Sequence, residues 1–184
     1  MAKSFKLWVL LGLILSLSTP AFASDLPKLA VVGTVTLAAA DAVFDGLTYW
    51  QSQKAGKDLD KRPDFTSKTD AKNNLEIASL LSICSMAGPV SGITMLMSGA
   101  LRETDWCIRL IPAAGPSLGW LLGLGALVSN AIAFGEVRAH DQLEHHLNVS
   151  FGMTVAGVVL NTAVLGAFIA LGKMKNTVPA NDPS

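Results

Sequence analysis

The stretch Ile108-Arg-Leu-Ile-Pro-Ala-Ala-Gly-Pro-Ser-Leu-Gly-Trp-Leu-Leu-Gly-Leu-Gly-Ala-Leu-Val-Ser-Asn-Ala-Ile-Ala-Phe-Gly135 contains no charged side chain after Arg109. At ~1.5 Å per residue a helix of this length reaches about 40 Å, enough to cross ~30 Å of hydrocarbon. No water is available there to satisfy exposed peptide groups, so only a structure that pairs its backbone internally is stable, and for a Gly- and Ala-rich run that structure is a helix. Three more runs read the same way, over residues 29–50, 74–98 and 148–172. The expected fold is therefore an all-α integral membrane protein whose four transmembrane helices form two hairpins.

Composition agrees. Of the 184 residues, 51% are hydrophobic and 15% charged, well below the roughly 25% charge of soluble domains. Basic and acidic residues number 14 each, so no basic excess points to nucleic acid, and none is expected as a partner. Six of the basic residues fall between Lys54 and Lys72, in the polar stretch Gln51–Asn73 between the first two spans.

The N-terminus reads as a leader. Lys3 and Lys6 precede an apolar run from Leu7 to Ser18, and Ala21-Phe22-Ala23 places small residues where a signal peptidase cuts. Cleavage after Ala23 gives a leader over residues 1–23, a four-helix domain over 24–175 and a polar tail over 176–184. Export of Ser24 sets the mature N-terminus outside a bacterial inner membrane, with the Lys-rich stretch in the cytoplasm as the positive-inside rule requires. Tyr49, Trp50 and Trp106 sit where amphipathic rings anchor at the headgroup level.

A weak duplication is readable. Asp41-Ala-Val-Phe-Asp-Gly46 parallels Asn130-Ala-Ile-Ala-Phe-Gly135, and Asn73-Asn-Leu-Glu-Ile-Ala78 parallels His145-His-Leu-Asn-Val-Ser150, although the two pairs have different offsets. Small residues supply packing faces: Gly115, Gly119 and Gly123 in the third span, Gly88 and Gly92 in the second, and Ala38, Ala42 and Gly46 in the first. Such ridges let backbones approach closely, within one chain or between chains.

Asp41 and Asp45 lie four apart and share a helix face with Thr34 and Thr48. An ionised carboxylate in a bilayer is expensive, so a pair of them is expected either to hold a proton or cation or to find a polar neighbour. Glu76 is expected to open the second helix, where its charge offsets the helix dipole. Ser79, Ser82, Ser85, Asn130 and Asn161 are expected to join helices by hydrogen bonds.

All three histidines fall in His140-Asp-Gln-Leu-Glu-His145-His146. A metal or pH-responsive site there is conceivable from residue type, with a solvated loop as the simpler expectation. Gln142-Leu-Glu-His-His146 resembles one histidine box of the membrane fatty-acid desaturases. Those enzymes draw the ligands of a diiron centre from several such boxes, whereas this chain has three histidines in all, so the resemblance implies no diiron site. Cys84 and Cys107 are expected as free thiols. Asn148-Val-Ser150 matches a glycosylation pattern at a cytoplasmic helix start, where it would be incidental. No nucleophile elbow, phosphate-binding loop or zinc spacing is present, so no enzyme, metal or cofactor is expected.

The expected function is that of a small non-catalytic inner-membrane subunit of a larger assembly of the secretion, conjugation, pilus or energy-transducing kind. The alternative is a homo-oligomer that conducts protons or cations through Asp41 and Asp45, with Glu76, Asn130 and the serines as further candidates along the pathway. Expected partners are the lipid bilayer and other membrane subunits or further copies of the chain.

Overall fold

The computed structural model describes residues 28–98, 105–139 and 145–174. The leader at 1–23, the connection at 99–104, His140 and the tail from 176 lie outside the described residues. The chain forms α1 (Lys28–Asp60), α2 (Lys68–Ser85), α3 (Ala87–Met97), α4 (Trp106–Leu110), a 3-10 turn (Ile111–Ala113), α5 (Ala114–Ala139) and α6 (His145–Lys173). Helices α2 and α3 are one span interrupted at Met86. Pro89 lies three residues further on and cannot donate to the carbonyl of Ser85. A second composite span runs from α4 through the 3-10 turn into α5, started by the Asp105 side chain accepting from the Cys107 backbone N–H at 2.9 Å. Four helical stretches are thus long and apolar enough to cross a membrane: Ala30–Asp60, Lys68–Met97, Cys107–Ala139 and His145–Lys173. The protein is a multi-pass membrane protein.

Helix α1 packs against α2 and α6, and α5 packs against α2, α3 and α6, so the spans form a four-membered ring with α1 and α5 on the diagonal. The distribution of side chains is inverted relative to a soluble bundle. Leu80, Leu118, Leu121, Val128 and Val159 are each more than half exposed, while Asp41, Asp45, Asn130 and Asn161 are buried. In water this arrangement would leave the hydrophobic effect unused and bury groups that water solvates well. With lipid as the outer solvent the apolar faces need no cover and the interior is where polar groups find partners.

Along the bundle axis the interior falls into three tiers. At the end that carries the α1–α2 turn, Ala55, Leu59, Ala71, Leu75, Ala133, Val137 and Leu147 form an apolar cluster. At the opposite end Val31, Val35, Ala38, Ile93, Leu96, Ala113, Val164, Phe168 and Leu171 form another. Between them all four spans contribute buried polar side chains, among them Asp41, Asp45, Thr48 and Ser52 from α1, Ser79, Ser82 and Ser85 from α2, Asn130 from α5, and Ser150, Thr154 and Asn161 from α6.

Four sequence expectations are corrected here. The polar stretch Gln51–Asn73 is mostly helix: α1 continues to Asp60 and α2 starts at Lys68. The apolar cluster at that end extends the bundle beyond the hydrophobic runs, and pairs such as Lys72–Asp60 at 2.8 Å and Lys61–Asp58 at 2.8 Å solvate its rim. Glu76 therefore lies more than two turns inside α2 and does not open it. Asp70 occupies the first turn instead. The first pair of the duplication does not match in depth: Asn130 bonds Ser52 rather than lying level with Asp41. The first-span ridge is not a site of close backbone approach at Gly46, where a Cβ would meet only the Met86 sulfur, 3.9 Å away, although Ala38 is fully buried.

The other glycine ridges are consumed inside the chain. A Cβ on Gly88 would lie 2.7 Å from the Gly115 carbonyl oxygen and 2.8 Å from the Gly119 Cα. One on Gly92 would lie 2.9 Å from the Pro112 carbonyl oxygen. The backbones of α3 and α5 touch at a separation that excludes any side chain at these positions.

Candidate cation site in the bundle interior

The buried stripe of α1 is set by helical periodicity: Asp41, Asp45, Thr48 and Ser52 are spaced by four, three and four residues and lie on one face. Helices α1 and α6 run antiparallel, and two contacts fix their register. The Ser52 and Ser150 hydroxyls are 2.8 Å apart, and a Cβ on Gly157 would lie 3.5 Å from Asp45 Oδ1. The same register carried one turn further sets Asp41 level with Asn161. Helix α2 supplies the third wall. Gln53 Nε2 donates to Ser79 Oγ at 2.9 Å, and Asp45 is within hydrogen-bonding reach of Ser85 and Asn161.

Two layers result. In the layer nearer the turn end, Asn130 Nδ2 donates to Thr154 Oγ1 at 2.7 Å and to Ser52 Oγ at 3.4 Å, and Ser150 Oγ donates to Asn130 Oδ1 at 3.1 Å. This layer is saturated. It ties α1, α5 and α6 together, and Asn130 is its hub.

The deeper layer is not saturated. Asp41 has 0% of its surface exposed, and neither of its carboxylate oxygens has a hydrogen-bond partner. Asp45 Oδ2 and Asn161 Oδ1, also buried, lack partners too. The layer thus presents four buried oxygens with nothing donated to them. The Ser85 hydroxyl is engaged elsewhere, donating to the Gly119 carbonyl at 2.8 Å. Among the described residues no basic side chain forms an ion pair with either aspartate. The one buried basic residue among them is Arg109. Its carbonyl lies against Gly172, eleven residues beyond Asn161 along α6 and so about 16 Å away along the axis.

The remaining site candidates are elsewhere. Glu76 is exposed on α2 near the turn end, facing the groove between α1 and α2. Gly88, Gly92, Gly115 and Gly119 form the α3–α5 contact, while Gly119 and Gly123 also border the site: Cβ atoms there would lie 3.5 Å from Asn161 Oδ1 and 3.6 Å from Asn161 Nδ2, respectively. His146 Nδ1 is 3.1 Å from Gln51 Oε1 and its Nε2 is 3.7 Å from Asp58 Oδ2, so this ring links the start of α6 to the end of α1. His145 is exposed. Among the described residues no group of three His, Cys, Asp or Glu side chains is arranged to hold a metal ion. Cys84 and Cys107 are free and exposed.

Sequence reading finds the aspartate pair but not Ser52, which lies past the apolar run in the polar stretch Gln51–Asn73. The signal was available: Ser52 continues the spacing of Asp41, Asp45 and Thr48 by one further step of four. Comparison with protein-family models, with curated proteins and with solved structures finds no match to this chain.

Proposed function

We propose that the protein is a four-span membrane protein that takes up a proton or a small cation between Asp41 and Asp45 in the middle of its bundle. The observation that carries this reading is the unpartnered state of the Asp41 carboxylate at zero exposure. A buried acceptor without a donor costs ~1–3 kcal/mol, more for a charged group. A structural carboxylate would be expected to have found a hydroxyl or amide among the many that this tier holds. Oxygen-only donors suit a hard cation, as they suit a proton.

The non-catalytic subunit of a larger assembly is the second proposal. The ridges that suggested lateral partners close the bundle itself, which leaves the Leu and Val faces of α5 and α6 for lipid or a partner. In either case the proposed setting is a bacterial inner membrane, reached by a cleaved leader, with the mature N-terminus outside and the α1–α2 turn in the cytoplasm.

The test is infrared difference spectroscopy of the purified protein between pH values, with and without sodium or potassium. A carboxylic acid band that titrates in the wild type, and that is lost in the combined variant Asp41→Asn with Asp45→Asn, is the expected result. A correctly assembled wild type that shows no titrating carboxyl and binds neither ion would overturn the proposal. Full cellular activity of the double variant, together with a stoichiometric partner in mild detergent, would establish the subunit reading.

A further inference from the structure

The deeper layer is not equally distant from the two ends of the bundle in chemical terms. Towards the α1–α2 turn, a cavity of about 190 Å³ lies between α1 and α2. Asp60 and Glu76 line it with Lys57 and Lys72, two charges of each sign, and buried Ser52 lines it as well. Gly56 also lines it, and a Cβ added there would meet nothing within 4 Å. From Ser52 the buried polar stripe is continuous: Thr48 and then Asp45 follow on α1, and Ser79, Ser82 and Ser85 step alongside on α2 in antiparallel register. From Ser52 to Asp45 is seven residues, or about 10 Å along the axis.

Towards the other end no such stripe exists. Ala38 follows Asp41 after one turn at 0% exposure, and beyond it Val35, Val164 and Phe168 close the interior. Thr34 is the one buried polar side chain of α1 in that tier, and its hydroxyl, like that of Thr48, donates to the carbonyl four residues earlier, here Ala30 at 2.8 Å.

We infer that the Asp41–Asp45 site exchanges its proton or cation with one side of the membrane only, through the vestibule at the α1–α2 turn end, and is sealed from the other side by the apolar tier around Val35 and Phe168. The inference rests on the cation-binding reading above and adds to it a direction and a route. The fold thus has the form of a half-channel: a hydrated inlet, a hydroxyl-lined passage and a carboxylate terminus.

Two measurements test it. In a background of Cys84→Ala and Cys107→Ala, a small cationic thiol reagent should modify Ser52→Cys and leave Val35→Cys unmodified in the reconstituted protein. Filling the vestibule with Gly56→Leu, where the added Cβ meets nothing within 4 Å, should slow the response of the titrating carboxyl band to a pH jump by about tenfold, as a ~1.4 kcal/mol higher barrier would. The equilibrium titration should stay where it is. An unchanged rate in Gly56→Leu would overturn the route while leaving the cation site in place. Reaction of Val35→Cys as fast as Ser52→Cys would overturn the seal. A wild type with no titrating carboxyl would overturn the underlying reading, and the inference with it.

Discussion

Replacing Gly88 by alanine is the sharpest probe of how the bundle is held together. A methyl group there would begin 2.7 Å from the Gly115 carbonyl oxygen, 2.8 Å from the Gly119 Cα and 2.9 Å from the Gly119 nitrogen. All three are backbone atoms, so no side chain can rotate out of the way. Ordinary contact between such atoms needs ~3.5 Å or more, so α3 and α5 must move apart by roughly 1 Å. That displacement strains the neighbouring Ser85 to Gly119 hydrogen bond. Overpacking of this kind costs about 1–3 kcal/mol, and at ~2–4 °C per kcal/mol for a chain of this size the thermal midpoint should drop by roughly 2–12 °C. The control is Gly123→Ala, whose Cβ would meet nothing closer than 3.6 Å. It should leave the midpoint unchanged or raise it, since alanine is favoured over glycine in a helix by up to ~1 kcal/mol. The assay is thermal unfolding in one mild detergent, followed by circular dichroism and by monodispersity. A Gly88→Ala protein as stable as the Gly123→Ala protein would refute the claim that α3 and α5 meet backbone to backbone.

Asn130→Leu removes the hub of three interhelical bonds and should cost about 2 kcal/mol at the ~0.6 kcal/mol typical of such bonds in membranes, seen as a lower thermal midpoint, while Asn130→Asp should keep part of the network. Asp41→Asn alone should give wild-type yield and elution profile, because no bond made by the carboxylate is lost, yet should diminish the titrating carboxyl band. With Cys84 and Cys107 replaced, Asp64→Cys in the α1–α2 turn should be protected from an impermeant thiol reagent in intact cells, and Asn176→Cys should react. Labelling of the turn from outside would reverse the proposed orientation.

Much of the fold was legible because the bilayer is a severe selector. Long apolar runs with few charges have one solution in lipid, so four spans could be read from residues 29–172 without contacts. The helix ends were less legible, since the α1–α2 hairpin continues as helix past the apolar runs. Leu59, Ala71 and Leu75 sustain its core where the hydropathy has already fallen. Asp41 and Asp45 declared themselves by spacing. Asn161 and Ser85 did not, because an amide or hydroxyl in a span is most often helix glue, and only the fixed register of α1 against α6 and α2 shows which of them faces the carboxylates. The glycine ridges announced close approach but not the partner. That α3 meets α5 depends on the ring order of the spans, which no local pattern encodes.

The tiered interior also constrains how the chain can be made. Each aspartate disfavours insertion of an isolated segment by about 2.5–3.5 kcal/mol near its centre, against about 0.3–0.6 kcal/mol gained per large apolar residue. Helix α1, first to be synthesised and bearing both Asp41 and Asp45, is therefore the least self-sufficient of the four spans. One of its two neighbours in the ring, α6, is the last to emerge. The wall carrying Ser150, Thr154 and Asn161 is absent until translation has passed residue 161. During that interval α1 must be held at the insertion machinery or at the membrane surface, and biogenesis becomes a joint insertion of first and last spans. A ribosome stalled before His145 should leave α1 extractable by alkali, and one stalled after Lys173 should not.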